Sequence, residues 1–132
     1  MRTDVLDVAP EDTLGEVAER MTASKVGAVV VRDYGKLIGI LTERDLLKAM
    51  AARVHSSDAR VRQWMTEDPI TTSLSTDVSE AAQVMLDHGF RHLPVVDDDG
   101  NVVGIVSLRR VVGAMTGSRE SGPGSNSSPD SP

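Results

Sequence analysis

The chain has 132 residues, 39% hydrophobic and 26% charged, with a formal net charge of -6, a composition ordinary for a soluble globular protein and unlike that of a wholly disordered one. The negative charge opposes the counterion release that drives nucleic-acid binding, and one Trp, one Tyr and one Phe leave few platforms on which bases could stack. With no Cys in the sequence, thiolate chemistry, disulfides and the common structural zinc sites are excluded.

Met1-Arg2-Thr3-Asp4 carries no apolar signal segment, and the longest apolar run, around Ala28 to Val31, is far shorter than the roughly 20 residues of a membrane span. A cytoplasmic protein without membrane or nucleic-acid partners is expected. A lead-in strand near Val5 to Val8 precedes a helix in which Leu14, Val17, Ala18 and Met21 recur at i, i+3, i+4 and i+7. Thr13, three residues before Glu16, supplies a capping box at its start. Two β-branched runs, Val26 to Arg32 and Ile38 to Leu41, joined by Asp33-Tyr34-Gly35-Lys36, predict a hairpin. A second helix runs from Arg44 to about Arg53, and the polar segment His55 to Gln63 reads as a linker pinned to the core at Val61 and Trp64.

The same grammar then recurs. A strand near Ile70 to Thr72 leads to a helix with Val78, Ala81, Ala82 and Met85 on one face, opened by Asp77 and Glu80. The runs Leu93 to Asp97 and Val102 to Val106 form a second hairpin around Asp98-Asp99-Gly100-Asn101, and a last helix spans Arg109 to about Met115. Sliding the chain along itself sets Met1 on Met65, Glu16 on Glu80 and Met21 on Met85. One extra residue in the second turn then brings Gly35 onto Gly100, Gly39 onto Gly104 and Arg44 onto Arg109. The predicted fold class is therefore α+β, two βαββα repeats packed sheet to sheet as one pseudo-twofold pair, because each half alone would bury little apolar surface. The expected organisation is a first motif over 1–54, a linker over 55–64, a second motif over 65–116 and a tail over 117–132. The tail is Ser, Gly and Pro with almost no apolar residue, a composition that predicts disorder.

The order of elements and the phrase Gly39-Ile40-Leu41-Thr42-Glu43-Arg44-Asp45 resemble the cystathionine-beta-synthase (CBS) domain signature, Gly-hydrophobic-x-Thr/Ser-x-x-Asp; the second copy reads Gly104-Ile105-Val106-Ser107-Leu108-Arg109-Arg110. His88 to Asp97, and Trp64-Met65-Thr66 with Pro69-Ile70-Thr71, are similar to further parts of such a domain. The resemblance covers about residues 1 to 115. It implies a CBS pair that binds AMP, ADP, ATP or S-adenosylmethionine in clefts between the two motifs, as a regulatory ligand with no cofactor required. It also implies a homodimer. Some members of the family bind nothing known.

The residues support that site in physical terms. Thr42 and Asp45 stand where a strand ends and a helix begins, a turn with free backbone N–H groups that favours anions. Thr42 could help to hold a phosphate, and the acceptor-only carboxylate of Asp45 could take both hydroxyls of a ribose; the resemblance assigns them those two roles. Equally, Thr42-x-x-Asp45 is a helix start that caps itself, and the two readings are compatible. Arg44, Arg91 and His92, with Pro94 beside them, are candidates for the phosphate side. Val26, Ala28, Ile40, Leu93 and Ile105 are candidates for an apolar adenine slot. In the second copy Ser107 keeps the hydroxyl, but Arg110 replaces the acidic residue. Either the second cleft is empty, or Arg109 and Arg110 reach the phosphates of a nucleotide whose ribose Asp45 holds.

Other constellations carry less. Asp97-Asp98-Asp99-Gly100-Asn101 lacks the alternating ligands of a calcium loop and reads as a tight turn. Gly89 should end the helix between His88 and His92, which argues against a metal pair. No nucleophile with a base, metal cluster or paired carboxylates stands at supporting spacing, so a non-enzymatic sensor is expected. The competing expectation is a ligand-free dimerisation or protein-interaction module. With either, output would pass in trans through a protein effector or through self-association, and the first copy, lacking a counterpart of Val61 to Trp64, would go without that packing or receive it from a neighbouring subunit.

Overall fold

The computed structural model describes residues 5–116; the predicted disordered tail lies outside the described residues. The chain divides into two compact units, Val5–Pro69 and the residues from Ile70 onward. Among the described residues, no helix is long and apolar enough to cross a membrane.

In the first unit, β1 (Asp7–Val8), β2 (Ala28–Asp33), β3 (Lys36–Thr42) and β4 (Thr66–Glu67) form one sheet in that order, β1 parallel to β2 and the other pairs antiparallel. Helices α1 (Leu14–Ser24), α2 (Glu43–Ala51) and the single turn α3 (Val61–Trp64) complete it. The second unit repeats the plan with β5 (Thr72–Ser73), β6 (His92–Val96) and β7 (Val102–Ser107), and with α4 (Val78–His88) and α5 (Leu108–Thr116). This is the predicted α+β class built from two βαββα repeats.

The two capping boxes lie where their spacing predicts, at Thr13 with Glu16 and at Asp77 with Glu80, and each opens a helix of 11 residues. Both helices end on a residue in the left-handed region: Gly89 at φ 71° in α4, and Lys25 at φ 56° in α1. Gly adopts that conformation freely, whereas a lysine pays for its Cβ. Val26 follows as the first residue of the return. Its N–H donates to the Met21 carbonyl at 3.1 Å, and its side chain packs on the helix-side core. The predicted strand therefore starts two residues late, because closing the helix end uses Lys25 and Val26.

Both hairpins carry a register shift at the same place, after Val31 and after Val95. Beyond it the first turns on Tyr34-Gly35, both at positive φ (51° and 78°), the backbone of a type I′ turn whose twist suits the strands. The second turns on the acidic run, where Asp97 Oδ1 accepts from the N–H of Asp99 (3.0 Å) and of Asn101 (2.9 Å). The carboxylate holds its own turn.

Alternation along β2 and β3 sends Val29, Val31 and Leu41 into a core with Leu14, Val17 and Met21. The segment after α2 joins that core. Val61 is fully buried, Ala59 nearly so, and Trp64 and Met65 pack against them. Thr66 and Glu67, from the stretch leading into the second repeat, pair with Ile40 and Gly39 of the first sheet.

That pairing explains a signature glycine. A Cβ on Gly39 would lie 2.6 Å from Met65 Sδ and 2.9 Å from the Thr66 carbonyl oxygen, so β4 can reach the sheet only over a residue without a side chain. Gly39→Ala is expected to destabilise the fold by about 1–3 kcal/mol through this overpacking, read as a lower melting temperature. Lys25→Gly is expected to raise stability by roughly 0.5–1 kcal/mol by relieving the left-handed cap, measured by denaturant unfolding.

A strand-to-helix junction as candidate binding site

The candidate residues converge on one local construction, present in each unit. In the first, β3 ends at Thr42 and α2 begins at once at Glu43. Three contacts hold the corner. Asp45 N donates to Thr42 Oγ1 (3.4 Å), Thr42 N donates to Asp45 Oδ2 (2.9 Å), and the Thr42 hydroxyl donates to the same Oδ2 (3.1 Å). The self-capping geometry anticipated for this pair is therefore realised. Glu43 N, at the first position of the helix, donates to the Gly27 carbonyl at 3.0 Å, which ties the helix start to the beginning of β2.

Asp45 is 9% exposed and, among the described residues, is the one charged side chain that is buried. Its capping contacts all fall on Oδ2, so Oδ1 takes no part in the cap. A buried carboxylate next to the first amides of a helix is an acceptor held in place before any partner arrives. Ala28 pairs with Thr42, and Val30 with Ile40. By strand alternation these four share the face opposite the helix-side core, and Ala28, Val30 and Ile40 are all buried. The structure thus brings Thr42, Asp45, Ala28 and Ile40 together with Val30, which sequence reasoning missed although its alternation with Ala28 and Thr42 was visible. Arg44 lies exposed in the first turn of α2. Val26 sits on the opposite, helix-side core, and Gly39 is taken up by the approach of β4.

The second unit copies the backbone and changes the side chains. Leu108 N donates to the Arg91 carbonyl at 2.7 Å, and Arg110 N to Ser107 Oγ at 3.2 Å. Ser107 is therefore a helix cap, as Thr42 is, without a returning carboxylate. His92 pairs with Ser107, and Pro94 with Ile105, on one face. Leu93, considered above for the adenine slot, lies in the core with Met85 and Val111. Arg91, Arg109 and Arg110 are exposed. Where the first junction has Gly27, Ala28 and Asp45, the second has Arg91, His92 and Arg110, so its character is cationic.

His92 Nδ1 is buried with no hydrogen-bond partner. Burial, and next the charge of Arg91, hold the imidazole below its ordinary range. The unfolded chain therefore binds the proton more readily than the folded one. Neutral His92 costs nothing by this route above its unfolded value of about 6.5, and stability is lost as pH falls below that value toward the lower folded one. His92→Gln is expected to flatten this acid limb, measured by chemical denaturation between about pH 7 and pH 5.

The sequence matches the family model described as CBS domain over two segments, residues 1–52 and 61–117. The chain belongs to the CBS-domain family, whose paired domains are regulatory modules. A 17.7 kDa uncharacterized protein of Acidianus ambivalens is 39% identical over 114 residues, covering 86% of this chain and 68% of the relative. A protein of Methanopyrus kandleri is 36% identical over 113 residues, and there the chain spans 58% of the relative's length. Among solved structures, a CBS-domain containing protein from Agrobacterium tumefaciens aligns with a TM-score of 0.79 at 38% identity, covering 86% of this chain and 90% of that one. The CBS domain pair of protein MJ0100, in complex with methylthioadenosine and S-adenosyl-L-methionine, aligns at 0.78 and 27% identity, covering 87% and 93%. CBSX2 in complex with AMP aligns at 0.68 and 30% identity, covering 86% and 89%.

Proposed function

We propose that this chain is a non-enzymatic regulatory module that binds an adenosyl ligand, with Asp45 receiving the ribose hydroxyls and the Thr42 corner facing the phosphate or its equivalent. The observation that carries the reading is the buried Asp45 carboxylate, oriented through Oδ2 by Thr42 while Oδ1 stays outside the cap. A ribose offers two adjacent hydroxyl donors to such an acceptor. Family membership supports it, since the similar MJ0100 and CBSX2 structures hold S-adenosyl-L-methionine with methylthioadenosine, and AMP.

The ligand would act by differential affinity, favouring whichever arrangement of the module completes its contacts. In this reading the module is a homodimer, as the family resemblance implies, placed in the cytoplasm with a protein effector as the partner that reads its state. AMP, ADP, ATP and S-adenosylmethionine are the candidate ligands of this reading, each carrying the ribose that Asp45 would receive.

Calorimetric titration with AMP, ADP, ATP and S-adenosylmethionine tests it. The wild type is expected to bind at least one saturably, and Asp45→Ala to lose that binding while still melting cooperatively, with about 0.5–1 kcal/mol of stability lost with the cap. Asp45→Asn retains an acceptor for the cap and is expected to bind at least about tenfold more weakly, because its ionised partner is gone. No heat with any of the four ligands would leave the capping box as the whole purpose of Thr42 and Asp45, and the chain as a ligand-free interaction module.

A further inference from the structure

The capping box of the first junction divides its donors unevenly between the two oxygens of Asp45. Oδ2 accepts from the Thr42 N–H at 2.9 Å and from the Thr42 hydroxyl at 3.1 Å, which fills the roughly two acceptor sites of that oxygen and leaves those of Oδ1 outside the cap. A hydroxyl has a single proton to give, and here Asp45 holds it. In return Thr42 Oγ1 accepts from Asp45 N at 3.4 Å.

The nearby amides are committed as well. Thr42 N–H goes to Asp45 Oδ2, Glu43 N–H to the Gly27 carbonyl and Asp45 N–H to Thr42 Oγ1. Among these donors only the hydroxyl can turn to a new acceptor without moving the backbone, because it rotates about its C–O bond. A ribose diol that spans both carboxylate oxygens needs a place on Oδ2, and the Thr42 hydroxyl is the partner able to vacate it.

We propose that Thr42 is a specificity-determining residue: its hydroxyl turns from Asp45 to a phosphate oxygen of the ligand as a ribose hydroxyl takes its place on Oδ2. The proton stays on Oγ1 throughout, and only its acceptor changes. The exchange balances when one ligand carries both groups. Inorganic phosphate alone draws the hydroxyl away and leaves Oδ2 of the buried Asp45 short of a donor. A nucleoside alone leaves the turned hydroxyl without an acceptor, so it binds through Oδ1 with the cap intact. The corner therefore selects nucleotides over nucleosides and over free phosphate. The inference rests on the reading of Asp45 as the ribose acceptor and adds the ligand class to it. The second junction has no such exchange. Ser107 Oγ accepts from Arg110 N at 3.2 Å, but Arg110 stands in the place of Asp45 and supplies no carboxylate to hold the hydroxyl.

Calorimetric titration of the full chain with AMP and with adenosine, in the wild type, Thr42→Val and Thr42→Ser, is the test. The wild type is expected to bind AMP at least about tenfold more tightly than adenosine, with about 10 mM inorganic phosphate failing to compete with adenosine. In Thr42→Val the AMP-to-adenosine ratio is expected to fall by at least about tenfold, because adenosine keeps its acceptor through the N–H of residue 42, while Thr42→Ser restores the ratio. Thr42→Gly, which costs a helix start little, reads the same ratio if Thr42→Val does not fold. An equal loss for both ligands in Thr42→Val would make Thr42 a cap alone and overturn the proposal, as would an unchanged ratio or competition by inorganic phosphate. Asp45→Ala separates the two levels. Adenosine binding that survives in it overturns the ribose reading and this inference with it, whereas binding lost there beside an unchanged ratio in Thr42→Val overturns this inference alone.

Discussion

The candidate site depends on one backbone contact, the hydrogen bond from the first amide of the closing helix to the carbonyl at the start of the neighbouring strand, Glu43 to Gly27 and Leu108 to Arg91. The chain must leave β3 or β7 and enter a helix without a loop, and a helix start carries amides that need partners. One is satisfied across the hairpin and another by the last hydroxyl of the strand, Thr42 or Ser107. Hairpin register and helix position are thereby locked together. Any side chain within the first turn, Asp45 above all, is delivered to a fixed place beside the strand face.

Because the corner is held mostly by backbone, its side chains are free to diverge. One junction carries a buried carboxylate beside a small alanine, and the other carries arginines and a half-buried imidazole whose Nδ1 is shut off from solvent. The divergence has structural limits. Pro94 in place of Val30 removes one donor from the ladder, and the lead-in strand pairs from Thr72 with Val95 instead of one residue earlier.

Neither repeat is large enough to be indifferent to what covers it. The first unit is completed by a segment that belongs, in sequence, to the approach to the second: Ala59, Val61, Trp64 and then β4 all join the first core or the first sheet. Gly39 is explained by that crossing. Its place in the signature phrase suggests a ligand contact, but its missing side chain is what lets Met65 and Thr66 lie on the strand.

Much of this was legible in the residues themselves. Periodicity, capping boxes, turn residues and the self-match of the two halves determined the βαββα order within each repeat, the α+β class and the two repeats, because these depend on contacts within a few positions of the chain; the turn Val61–Trp64 and the strand Thr66–Glu67, inside and after the expected linker, were not legible there. The pairing of Thr42 with Asp45 was legible for the same reason. What required tertiary structure was everything set by distant neighbours: which face of β3 Gly39 and Ile40 occupy, that Val26 closes a helix rather than starting a strand, and that Thr66 belongs to the first sheet. The burial of Asp45 and of His92 Nδ1 was decided there too, since a residue type states what a group can donate or accept, and only the packed chain decides whether water remains to satisfy it.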